Sequence, residues 1–195
     1  MMEKILSDLG AKGFSYNPGF LDSKALKEMT GFFEEHKNSF AAARVGKDRT
    51  RDESIRGDYT FWLDPLDPPE AFKSTRDFLE GLKSEVNQKF FLGLKQFEFH
   101  LALYPQGAFY RKHSDQFENS SSRALTFIFY LNESWSPADG GELIFYDKND
   151  EVLATICPSP GTFVTFFSAD FPHEVLASKK DRKSLTGWIH NRIIY

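Results

Sequence analysis

The feature that most limits the fold of this 195-residue chain is a change of hydrophobic period near Phe97. Upstream, apolar residues recur every three to four positions. Downstream they alternate, as side chains on opposite faces of a strand do. Phe99, Leu101 and Leu103 point one way, and His100, Ala102 and Tyr104 the other. Residues 124–131 are apolar on both faces, as a strand covered on both sides would be. Further strands are expected over 142–146, 152–156, 162–167, 173–176 and 184–189, punctuated by Asp139-Gly140-Gly141, residues 158–161 and Phe171-Pro172. A run of about eight short, evenly spaced strands closes into a sandwich or barrel with helices packed outside.

The first forty residues read as helical. Asp22 or Ser23 can cap a helix whose apolar positions are Leu26, Met29, Phe32 and Phe33. A second helix is expected after Pro68-Pro69, running to about Leu92 with Phe72, Phe78, Leu79, Leu82, Val86 and Phe90 on its buried stripe. Residues 44–58, dense in mixed charge and holding two glycines, are expected to form a mobile loop. The aromatic content, 21 Phe, 7 Tyr and 3 Trp, suits packed strands. The fold class is therefore α+β, mainly β. It is expected as one domain over 1–195, with 1–93 largely helical support and 94–195 the β core.

Net charge of −4 gives no electrostatic case for nucleic acid or an anionic membrane surface. No segment approaches ~20 apolar residues and the start carries no apolar leader, so a cytoplasmic protein is expected. The single cysteine, Cys157, excludes a disulfide framework or a cysteine-based zinc site within the chain.

Chemistry is concentrated at His113-Ser114-Asp115 and His173. Side chains two apart on an extended strand share a face, so His113 and Asp115 can reach one ion, with His173 arriving from another strand. Two imidazoles and a carboxylate on one side of a metal leave positions open opposite, which suits non-haem Fe(II) activating O₂. Taken alone, His113 and Asp115 read better as an exposed strand pair; His173, Arg182 and the flanking residues reverse that. His173-Glu174 opens like a zinc-protease motif, but Ala177 stands where the second histidine would be required. Nine residues after His173 comes Arg182, in register with Ser184, Thr186, Trp188 and His190 along one face of the last strand. Its guanidinium can clamp the far carboxylate of a dicarboxylate through two parallel hydrogen bonds, with the Tyr130 hydroxyl beside it. His36 and His190 are expected at the surface.

From about Phe99 to Trp188 the chain resembles the catalytic domain of the prolyl 4-hydroxylase superfamily, most closely the hypoxia-sensing type and its bacterial relatives. The stretches that carry the resemblance are 104–115, Tyr130-Leu131-Asn132, 139–143, His173-Glu174-Val175, and Arg182 followed by Thr186 and Trp188. Residues 55–58 with Trp62 add to it. The resemblance implies a double-stranded β-helix (jelly roll), Fe(II) on His113, Asp115 and His173, and 2-oxoglutarate held by Arg182, Tyr130, Tyr104 and Thr186. It further implies ascorbate as reductant and a proline-containing peptide or protein substrate bordered by Tyr110, Arg123 and Trp188. His100 departs from the pattern, since relatives can carry an apolar residue at this pocket-facing position. Tyr110 lies three residues before His113, so an inward direction for it requires a bulge. The same chemistry on a free amino acid or small molecule, or a non-catalytic sensing module on the same shell, are the competing readings.

Overall fold

The computed structural model describes residues 1–43, 52–116 and 122–193. Helix α1 (Met2–Lys12) ends on Gly13 in the left-handed region. Helix α2 (Ser23–His36) starts at Asp22, whose carboxylate accepts the Ala25 N–H at 2.8 Å and so satisfies a donor with no partner inside the helix. Helix α3 (Glu70–Phe90) follows Pro69 and buries Phe72, Leu79, Leu82 and Val86. Phe78 and Phe90 pack at the margin of the same cluster.

Eleven strands are present among the described residues: β1 (Phe14–Asn17), β2 (Ala41–Ala42), β3 (Tyr59–Leu63), β4 (Gln96–Tyr104), β5 (Tyr110–His113), β6 (Arg123–Tyr130), β7 (Leu143–Tyr146), β8 (Val152–Ile156), β9 (Phe163–Phe167), β10 (His173–Val175) and β11 (Arg182–His190). They form a seven-stranded sheet in the order β1-β9-β6-β11-β4-β3-β2 and a four-stranded sheet in the order β5-β10-β7-β8. Residues of both sheets, among them Tyr104, Ile128, Val164, Leu143, Phe145 and Val175, meet in one cluster. The two antiparallel sheets therefore stack face to face as a double-stranded β-helix. Alternation along the strands divides the side chains: Phe99, Leu101, Phe127, Phe129 and Leu185 pack on the helices, while Ala102, Tyr104, Ile128 and Tyr130 face the second sheet.

The N-terminal part is not purely helical support, because β1, β2 and β3 join the larger sheet. β1 hides from an apolar pattern because its helix-facing residues are polar. Ser15 and Asn17 are buried and satisfied by Asp8, by Lys4 and by each other. Of the expected loop at 44–58, residues 44–51 lie outside the described residues; 52–58 turns back towards the β-helix through a backbone bridge between Arg56 and Tyr110. Two surface assignments also fail. His36 is half-buried and stacks on Phe32, and His190 is buried between Glu98 and Ser122. Among the described residues no helix is long and apolar enough to cross a membrane.

Candidate active site

Strands β5 and β10 run antiparallel with His113 directly opposite His173. β5 stops at His113, so Asp115 reaches the site from the bend after the strand rather than by continued alternation. One donor atom from each of His113, Asp115 and His173 falls within a 4.8 Å span. His113 Nε2 lies 3.7 Å from Asp115 Oδ1, and His173 Nε2 lies 3.8 Å from Oδ2. Each imidazole is fixed at its other nitrogen, Nδ1, by a backbone carbonyl: Arg111 for His113 and Phe171 for His173, both at 2.8 Å. With Nδ1–H donated there, both Nε2 lone pairs point at one spot, the tautomer a metal requires. This donor set, two imidazole nitrogens and one carboxylate on one side of a cavity, fits Fe(II).

Electrostatics agree with that use. A fifth of the His113 side chain is open to solvent, yet crowding by its neighbours and the nearby His173 push its pKa down to about 3, which favours the neutral form. Burial alone would raise the Asp115 carboxyl, but His173, His113 and a hydrogen bond from Thr126 outweigh it and hold the group ionised. The Trp188 indole N–H also favours the ionised carboxylate, although it stops short of a hydrogen bond. Thr126 Oγ1 donates to Asp115 Oδ2 at 2.7 Å and is itself 2.8 Å from Ser168 Oγ. Thr126→Val should therefore weaken Fe(II) binding about 10- to 100-fold, the usual cost of losing a partner that orients a ligand. Anaerobic iron titration checks this, and an unchanged affinity would remove Thr126 from the site.

The ligands open into a cavity of about 990 Å³ on the inner face of the large sheet. Arg182 lines it at the start of β11, with its side chain almost wholly buried. Its Nε donates to the Gly141 carbonyl at 3.0 Å and its Nη2 to the Tyr130 hydroxyl at 3.2 Å. The Tyr104 and Tyr130 rings lie 5.1 and 4.9 Å from the guanidinium carbon. Two other arginines line the cavity, and each has a carboxylate: Arg56 has Asp58 and Arg123 has Glu98. Among the described residues Arg182 has none. Gly141 makes this placement possible. Its φ of 74° belongs to the left-handed region, and a Cβ there would sit 2.9 Å from Ser178 Cβ and 3.4 Å from Arg182 Cδ.

Tyr110 does turn inward. β5 and β10 slip register between His113 and Tyr110, the bulge its position demanded, and its ring stacks on His113 at 3.6 Å. Trp188 lies under the Arg123 guanidinium at 3.5 Å, and Glu98 with His190 holds that guanidinium in place. His100 and Trp62 complete this flank, their rings 4.6 Å apart. Nine of the ten site residues expected from the sequence line the cavity; Tyr130 instead stands behind Arg182, fully buried. Thr126, Ser168, Gly141 and Glu98 were not anticipated. Only Thr126 carried a signal, its place on the inward face of β6.

Against this geometry, the family profile described as the 2OG-Fe(II) oxygenase superfamily matches residues 99–190. Human "Prolyl hydroxylase EGLN3" is 33% identical over 202 residues, covering 96% of this chain and 82% of that protein. The chain belongs to this family, on its prolyl-hydroxylase branch. The family uses Fe(II) and 2-oxoglutarate, as its description states. A Caenorhabditis elegans "Hypoxia-inducible factor prolyl hydroxylase" is 28% identical over 95% of the chain, which spans only 28% of that longer protein. Among solved structures, a Pseudomonas putida prolyl-4-hydroxylase superposes with a TM-score of 0.88 at 36% identity, covering 99% of this chain and 100% of the other. A prolyl hydroxylase from Trichoplax adhaerens, solved with a hypoxia inducible factor oxygen degradation domain peptide fragment, gives a TM-score of 0.88 at 25% identity, covering 97% and 89%.

Proposed function

We propose that this chain, acting as one catalytic domain, hydroxylates a prolyl residue in a peptide or protein segment, with decarboxylation of 2-oxoglutarate to succinate and CO₂. The observation that carries the reading is the cavity's division of labour. The same cavity is lined by a three-donor metal site and by a buried guanidinium that has no carboxylate partner among the described residues. A short dicarboxylate satisfies both, because one end chelates and the other neutralises Arg182 through charge-assisted hydrogen bonds.

His113 and His173 bind Fe(II) through Nε2, and Asp115 supplies the anionic ligand. Bound there with 2-oxoglutarate, Fe(II) provides the O₂ activation that side chains lack, and ascorbate serves as its reductant. Arg182 holds the distal carboxylate, the Tyr130 hydroxyl braces the guanidinium from behind, and Tyr104 and Thr186 line the same corner. Tyr110, Trp188 and Arg123 form the wall against which the target ring is positioned and from which water is excluded. A peptide substrate is supported by the likeness to the Trichoplax enzyme, whose structure holds a peptide.

Trp188→Ala tests the substrate side. It should reduce hydroxylation of proline-containing peptides at least tenfold more than it reduces peptide-independent succinate formation, because a wall is lost while the co-substrate clamp stays. Equal losses in the two assays would make Trp188 a packing residue and remove the peptide wall.

A further inference from the structure

His100 is an anomaly in this cavity. It is 4% exposed, and its Nδ1 is buried without a hydrogen-bond partner. Two indole rings pack beside it. On β3, Trp62 is its cross-strand partner, with centroids 4.6 Å apart; Trp188 of β11 lies 5.6 Å away, and the two indoles are themselves 6.4 Å apart. His100 lines the cavity on β4, directly opposite Thr186 of β11 and four residues along the strand from Tyr104, the cross-strand partner of Arg182. Trp62, half exposed at 52%, carries this side out to the surface. The charged groups around His100 do not turn it into a cation. Burial, Arg56 and Arg123 oppose protonation more strongly than Glu98 and Asp115 favour it, so its pKa is pushed down to about 3. A neutral imidazole presents one donor and one acceptor nitrogen, and a peptide group can meet either.

Resting on the prolyl-hydroxylase reading above, we propose that His100 Nδ1 hydrogen-bonds a main-chain peptide group of the substrate beside the target proline, making His100 a determinant of which segments are accepted. The Trp62 and Trp188 rings pack against the imidazole at tilted angles, so it stands beside the peptide wall that Trp188 forms. Nδ1 has almost no surface of its own, so in this role the imidazole flips to meet an extended segment leaving the cavity over Trp62; the clamp, Arg182, lies four residues along β11 from Thr186, the cross-strand partner of His100.

The test uses a pool of 12-residue peptides with proline fixed at position six and randomised flanks, incubated with the Fe(II)-loaded enzyme and 2-oxoglutarate. Hydroxylated products are sequenced by mass spectrometry. H100L should lower peptide hydroxylation about tenfold more than it lowers peptide-independent succinate formation, the loss expected of one hydrogen bond. It should also broaden the flank preference among products, while H100N, which keeps a polar atom near Nδ1, restores both. The Tm of H100L should equal or exceed that of the parent, since leucine removes an unpaired polar group from a buried position. Parent-like yield and flank preference in H100L would overturn the proposal, as would a rise in the 2-oxoglutarate requirement that accounts for the whole loss. A parent enzyme that forms succinate but hydroxylates no peptide in the pool would overturn the prolyl reading itself, and this role with it.

Discussion

Replacing His113 with alanine is expected to abolish O₂-dependent succinate formation while leaving the fold in place. His113 Nε2 is one of three donor atoms in the cluster, and the Arg111 carbonyl at its far nitrogen aims it. Loss of a group that merely orients a ligand costs about 10- to 100-fold, so loss of the ligand itself should exceed ~100-fold. Stability should change little, because the side chain is partly open to solvent and borders a cavity rather than filling the core. Succinate release measured with and without O₂, beside a thermal melt, separates the two effects. Undiminished turnover in a folded variant would refute the ligand role.

The second large effect concerns Arg182. Its guanidinium is buried against the Gly141 carbonyl, the Tyr130 hydroxyl and two aromatic faces, with no carboxylate partner among the described residues. A hydrogen bond to a charged group contributes about 1.5–3 kcal/mol, so Arg182→Met should raise the 2-oxoglutarate requirement roughly 10- to 150-fold. The same substitution should not lower the Tm of the ligand-free protein and can raise it, because a buried charge without its counter-ion gives way to an apolar chain of similar reach. Arg182→Lys keeps the charge but loses the planar fork, and should fall between the two. An unchanged 2-oxoglutarate requirement in Arg182→Met would remove the clamp. A collapse in stability would show instead that the guanidinium holds the fold together.

How much of this was legible in the sequence follows from what each element shows to its neighbours. β4, β6 and β11 alternate cleanly because one face meets the helices and the other the second sheet, so their inward residues, Arg182 and Thr186 included, could be ordered from register alone. β1 could not, since its helix-facing positions are Ser15 and Asn17 and the atoms that satisfy them come from α1. His190 looked exposed because it ends the last strand, but Glu98, ninety-two residues earlier, meets it in the interior. The metal donors were readable because Fe(II) demands particular side-chain types. Their supports were not, because a threonine hydroxyl from β6 or a carbonyl from Gly141 leaves no compositional mark. The Tyr110 bulge was foreseen as a requirement, and the register shift between β5 and β10 supplies it.

The most direct test of the whole reading is the fate of isotopic oxygen. With Fe(II), 2-oxoglutarate, ¹⁸O₂ and an unmodified peptide from the pool that the enzyme accepts, one labelled atom is expected in succinate and the other in the new hydroxyl group. Product oxygen drawn from water, or peptide oxidation that consumes no 2-oxoglutarate, would contradict it.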